Sequence, residues 1–241
     1  MCGTRAQDNM VPGSEWGALK ASTKYGQMPV LRLPNGTEMT QSKAMARYLA
    51  RTAKTPEGKA LYPDDPLTAF QIDEFWDAIE DARSKFNSTF SVADQAEKEA
   101  ARAALFVEGG AILEELKKIE AAVANEDGYF VGGKLTLADL ALFVVVNQFR
   151  CGFLDGVPTS GWLQKLPKLE KVCVCVCVCV CVCVCVCVCA CVCACACACA
   201  CACFCVCPGV CVCVCVCVCV CVCVCTYTTH TFICIDCQHR G

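Results

Sequence analysis

Apolar positions first form short runs of strand length, and one-turn helical spacing takes over from Ala44. Met28 to Leu33 reads MPVLRL, an apolar run of strand length. Pro34-Asn35-Gly36 supplies a turn, and Thr37 to Thr40 returns as a second, antiparallel strand. Ala44, Met45, Tyr48 and Leu49 then recur at one-turn spacing, while Lys43, Arg47 and Arg51 fall on other faces, which predicts a helix. Thr55 to Pro66, with three prolines and Gly58, predicts a linker.

Beyond the linker the period is helical. Asp65-Pro66 opens a helix running to about Phe86, with Phe70, Phe75, Ile79, Ala82 and Phe86 as its apolar stripe. A second pattern covers roughly Val92 to Asn125, with Leu105, Leu113, Leu116, Ile119 and Val123 on one side and Gly109-Gly110 bending it. Thr136 and Asp139 stand in N-cap and N3 relation, and Leu135 and Leu140 occupy the positions of a hydrophobic staple. Leu140 to Val146 is apolar all round, which predicts a helix buried among others.

The pattern then changes character. Of 30 cysteines, 26 lie between Val172 and Cys225, where every second residue is Cys except at Pro208-Gly209. That stretch carries no charge, whereas 43 of the first 171 residues are charged, a proportion usual for globular domains. A transmembrane span would be long enough here but lacks aromatic or basic anchors and favourable helix formers. A strand would be apolar on both faces with nothing to fix its register. A thiolate metal site would lack the turns that wrap ligands around an ion. The reading adopted is genetic: a G-T dinucleotide repeat translates as Val-Cys, T-to-C changes give the Ala-Cys run from Ala194 to Cys203, and Lys171 marks the junction with noncoding sequence. Residues 172–225 are therefore expected to be low-complexity sequence without a genuine fold, and 226–241 a tail of doubtful origin. His230, Cys234, Cys237 and His239 resemble a small zinc cluster, but their spacing is too tight, and no metal is expected.

Three blocks carry a family likeness: Trp16-Gly-Ala-Leu-Lys20, Gly26-Gln-Met-Pro-Val-Leu31, and Thr40-Gln-Ser-Lys-Ala-Met-Ala-Arg-Tyr-Leu-Ala-Arg51. With Phe130-Val-Gly-Gly-Lys-Leu-Thr-Leu-Ala-Asp139, their order resembles the soluble glutathione transferases, most closely the sigma-type branch. The resemblance covers roughly Val11 to Val172. It implies a partial thioredoxin-like α/β domain over 1–54, a linker over 55–66 and an all-helical domain over 67–171. It also implies a glutathione site in which Met28-Pro29 carries a cis peptide and the Met28 backbone pairs with the cysteinyl part. Gln41 and Ser42 would hold the γ-glutamyl carboxylate where a strand meets a helix. Trp16 and Lys20 would reach the glycyl carboxylate, with Gln27 beside them. Asp81 resembles the acidic residue that reaches the γ-glutamyl amine across a dimer, with Asp77 and Glu80 as alternatives.

The implied activity is conjugation of the glutathione thiolate to small electrophiles, in a cytoplasmic homodimer active in detoxification. The alternatives are a non-catalytic binding or dimerisation module, or a glutathione-dependent isomerase or peroxidase. An electrophile pocket would draw on Phe75, Ile79 and Phe86. The branch's thiolate donor is a Tyr at the end of a first strand, and no tyrosine occurs before Trp16, so the catalytic residue is not assigned and this chain is expected to be inactive. The first strand and helix of the α/β domain are expected to be missing. A net charge of −3 gives no electrostatic reason to expect nucleic acid or an anionic membrane as a partner. The polar start of the chain shows no signal-peptide core, so a cytosolic, reducing location is the expectation.

Overall fold

The computed structural model describes residues 5–52, 54–55, 58–124, 127–177, 203–207, 210–213 and 232–238. They fall into two compact units, Met1–Tyr62 together with Cys215–Gly241, and Pro63–Val214.

The first unit is α/β. Strand β1 (Arg5–Val11) leads through Pro12 into helix α1 (Gly13–Leu19), and a single 3-10 turn (Lys20–Ser22) follows. Strands β2 (Val30–Arg32) and β3 (Glu38–Thr40) form the expected hairpin, with Val30 opposite Thr40 and Arg32 opposite Glu38. Its turn closes through the Gly36 amide donating to the Leu33 carbonyl at 2.9 Å, with Gly36 at φ 82°, a conformation that favours glycine. Helix α2 (Ser42–Thr52) follows at once. Its buried face is Ser42, Met45, Ala46 and Ala50 rather than the expected Ala44–Met45–Tyr48–Leu49 stripe. Met45, Ala46 and Ala50 are buried, while Tyr48 stays 39% exposed.

Expectation and structure part at the tail. The four-stranded sheet has the order β1-β6-β2-β3, and β6 is Phe232–Gln238. It runs antiparallel to β1 and parallel to β2. A strand and a helix do precede the hairpin, and the strand between β1 and β2 comes from the carboxyl-terminal tail. Within the repeat, β4 (Cys203–Cys207) and β5 (Val210–Cys213) pair antiparallel, as period-two valine allows. The remaining repeat residues, His230 and His239 lie outside the described residues.

The second unit is helical. Helix α3 (Pro66–Ser84) starts where expected, Asp65 accepting the Thr68 amide at 2.9 Å with Pro66 behind it. The buried face of α3 is Ile72, Trp76, Ile79 and Ala82, and Phe70 is 59% exposed, so the predicted stripe is corrected by two positions at its start and by one at Phe75. The long second pattern is two helices, α4 (Gln95–Ala104) and α5 (Ala111–Ala122). They break at Gly109-Gly110, where Gly109 has φ 78° and a Cβ on Gly110 would lie 2.4 Å from the Ala104 carbonyl oxygen. Helix α6 (Leu137–Arg150) buries ten of its fourteen residues. Its Phe149 packs against Phe86, Phe106 and Trp162, with ring centroids 5.0–6.5 Å apart.

The helical unit does not stop at Lys171. A further helix, α7, spans 167–177 and enters the repeat. Leu169, Val172, Cys173 and Val176 are buried at i, i+3, i+4 and i+7, so the first repeat residues complete an amphipathic face that the preceding segment began. Glu120 on α5 accepts the Lys168 and Leu169 amides, both at 2.8 Å, and caps α7 from outside. Burial pushes the Cys173 thiol up to about 12, so it packs as an apolar group. No described helix is long and apolar enough to cross a membrane.

Candidate functional site

The hairpin register builds the candidate site in the first unit. Because Val30 faces Thr40, the residues just before β2 and just after β3 emerge at the same end of the hairpin. Those residues are Gln27, Met28 and Pro29 on one side and Gln41 and Ser42 on the other. They meet: the Gln41 Nε2 donates to the Gln27 Oε1 at 3.3 Å. The Met28–Pro29 peptide is cis, Pro29 is buried and Met28 half-buried.

Gln41 has φ 72°, the sole non-glycine residue in the left-handed region among the described residues. Its carbonyl accepts the Met45 amide at 3.0 Å, so the chain turns sharply from β3 into α2 at this residue. Ser42 is the first residue of α2 and only 4% exposed. An α-helix leaves its first-turn amides without intrahelical acceptors and places partial positive charge there, which suits a carboxylate.

Lys20 reaches the same region. A turn from Thr23 to Gly26, closed by the Gly26 amide on the Thr23 carbonyl at 3.2 Å, returns the chain toward Gln27. The Lys20 side chain runs along it, its Cε 3.4 Å from where a Cβ would stand on Gly26. Trp16 lies one turn earlier on α1, its carbonyl accepting the Lys20 amide, and its side chain is half-buried. Helix α1 has no buried residue. Six of the expected residues (Lys20, Gln27, Met28, Pro29, Gln41 and Ser42) thus lie on two segments that converge, with Trp16 on the helix leading into the first.

Asp81 belongs to the second unit, exposed on α3. There it lines a groove of about 620 Å³ with Glu74, Phe75, Lys118, Ile119 and Phe130. Phe75 and Phe130 stack with centroids 4.4 Å apart. Of the three residues expected in an electrophile pocket, only Phe75 borders this cavity. Ile79 and Phe86 are 0% and 2% exposed and serve the core, because they continue the buried face of α3. Phe130 was not singled out, although it opens the Phe130–Asp139 block.

Asp139 is the most perturbed carboxyl in the second unit. Its side chain accepts the Phe130 amide at 2.8 Å and the Thr136 amide and hydroxyl at 2.7 Å each. Burial pushes its pKa up to about 6, against the pull of these donors. The capping box is complete, and it ties the 130 loop to the start of α6. This perturbed carboxyl is structural.

Comparison with known proteins adds an independent line. A family model described as "Glutathione S-transferase, C-terminal domain" matches residues 80–176. Glutathione S-transferase S1 of Drosophila melanogaster is 31% identical over 182 residues, covering 68% of this chain and 70% of that protein. Glutathione S-transferase 1 of Ascaris suum is 30% identical over 180 residues, covering 70% and 83%. Probable glutathione S-transferase 7 of Caenorhabditis elegans is 33% identical over 139 residues, covering 56% and 63%.

Proposed function

Because the chain belongs to the glutathione S-transferase family, we propose that its first unit binds glutathione and that the reaction it serves is transfer of the glutathione sulfur to small electrophiles. Glutathione is a co-substrate of such a reaction, and the reading requires no metal. The observation that carries the proposal is the convergence of Gln27-Met28-Pro29 with Gln41-Ser42 at one end of the hairpin, joined by the Gln41–Gln27 bond. A tripeptide with two carboxylates needs two cationic or donor-rich ends. The start of α2 offers one, and Lys20 with the Trp16 indole offers the other. The Met28 backbone, between them, would pair with the cysteinyl residue as an added strand does.

Binding and turnover separate in this reading. Sulfur transfer needs a donor that holds the thiolate, since a free thiol near pKa 8.5 is largely protonated at neutral pH. No tyrosine stands in β1 or α1; Tyr25 and Tyr48 are 56% and 39% exposed. We therefore expect this 241-residue chain to bind glutathione and to conjugate it poorly. Asp81 would act on glutathione held by a second copy in a homodimer. Isothermal titration tests the reading: reduced glutathione should bind, and cysteinylglycine, which lacks the γ-glutamyl group that α2 would hold, should bind at least about tenfold more weakly. Equal affinity for the two would remove α2 from the site. A normal conjugation rate with a chromogenic electrophile would overturn the separation of binding from turnover.

A further inference from the structure

We propose that Phe232–Gln238 is an integral strand of the first unit, and that β1 and β2 form a slot built to receive it. The segment lies between β1 and β2 in the sheet. All seven residues of β1 pair with it, from Arg5 opposite Gln238 to Val11 opposite Phe232. On its other side Val30, Leu31 and Arg32 pair with Cys234, Ile235 and Asp236. Among the described residues β1 pairs with β6 alone, and β6 is what ties it to the hairpin. The hairpin alone has three residue pairs, and isolated two-stranded hairpins are marginal in water. One seven-residue segment thereby joins β1 to the β2–β3 hairpin.

The composition of the segment agrees with that place. Phe232-Ile-Cys-Ile235 is β-branched, aromatic and uncharged, a composition that favours a strand. Asp236 is the last residue paired with β2, opposite Arg32, and Gln238 lies beyond that pairing. The segment pairs with β1 along its whole length and with β2 over three residues, so it covers both inner edges. The tail is therefore part of the unit that carries the candidate site, not an appendage to it.

The register gives a test independent of glutathione. Asn9 faces the native Cys234 across the antiparallel pair, a separation a disulfide spans. In the full chain, Asn9→Cys followed by mild oxidation and peptide mapping should give an intrachain link between the 5–11 and 232–238 segments. Met10→Cys, opposite Ile233 and on the other face of the strand, should not link to Cys234. Equal yields from the two variants, or links only between copies, would overturn the proposal. A second variant reads the same contact without sulfur. Ile235→Pro removes a central ladder donor and should cost the Asp8–Val11 and Val30–Arg32 amides about a hundredfold in hydrogen-exchange protection, with those of α5 and α6 unchanged. Unchanged protection in β1 and β2 would also overturn it.

Discussion

Replacing Asp139 by alanine tests whether the second unit is held as the structure indicates. The carboxylate satisfies the Phe130 amide, the Thr136 amide and the Thr136 hydroxyl at 2.8, 2.7 and 2.7 Å. Phe130 and Thr136 are 4% and 0% exposed, so water cannot replace the lost acceptor without opening the structure. Two buried backbone donors left unsatisfied cost about 1–3 kcal/mol each. Some of that is offset because the carboxylate itself is costly to bury, as its raised pKa records. The expected loss is about 3 kcal/mol. With a urea slope of about 2 kcal/mol per M, the unfolding midpoint of the second unit should drop by about 1.5 M. Asp139→Asn keeps one acceptor oxygen and should lose less. A loss under about 1 kcal/mol for Asp139→Ala would refute the view that this carboxylate ties the 130 loop to α6.

Further outcomes follow from other residues. Asp139 has a folded pKa raised to about 6 from an ordinary 3.8, so between these values the folded state holds more protons than the unfolded one. Its contribution to stability therefore falls as pH rises from about 4 to 6 and is flat above, and the wild type minus Asp139→Asn difference in unfolding free energy should show that slope. Gln41→Gly should leave the first unit as stable or stabilise it by up to about 1 kcal/mol, since φ 72° favours glycine, yet weaken glutathione binding by removing the bond to Gln27; thermal melts and titration calorimetry read the two effects separately. Gly156→Ala should destabilise the second unit by about 2 kcal/mol or more, because its Cβ would meet the Glu99 Cα at 2.4 Å with φ at 77°. Glu120→Ala should expose the Lys168 and Leu169 amides to exchange while α5 stays protected, since that carboxylate caps α7.

Local chemistry made several elements legible in the sequence. The Pro34-Asn35-Gly36 turn, the Asp65-Pro66 helix start and the Thr136–Asp139 box each rest on bonds within a few residues, and each stands where expected. Choices made by packing were less legible. Phe70 and Ile72 are both apolar and two positions apart, and only the neighbouring helices decide that Ile72 is buried and Phe70 exposed. Residues 172–177 were assigned to the repeat because their alternation has period two, yet their valines also fit the face that Leu169 begins, and tertiary packing favours the helix. Pairing of the tail with β1 and β2 joins segments from opposite ends of the chain, and no local signal encodes it. For the candidate site, the sequence supplied the residues only through a family likeness. The hairpin register supplied the reason that Gln27 and Gln41 meet.

The glutathione cradle itself is tested most directly by titrating the isotope-labelled full chain with reduced glutathione and following backbone amide shifts. Saturable changes are expected at Gln27, Met28, Gln41 and Ser42, with smaller ones near Trp16 and Lys20. Saturable changes confined to other residues, or none at millimolar glutathione, would contradict it.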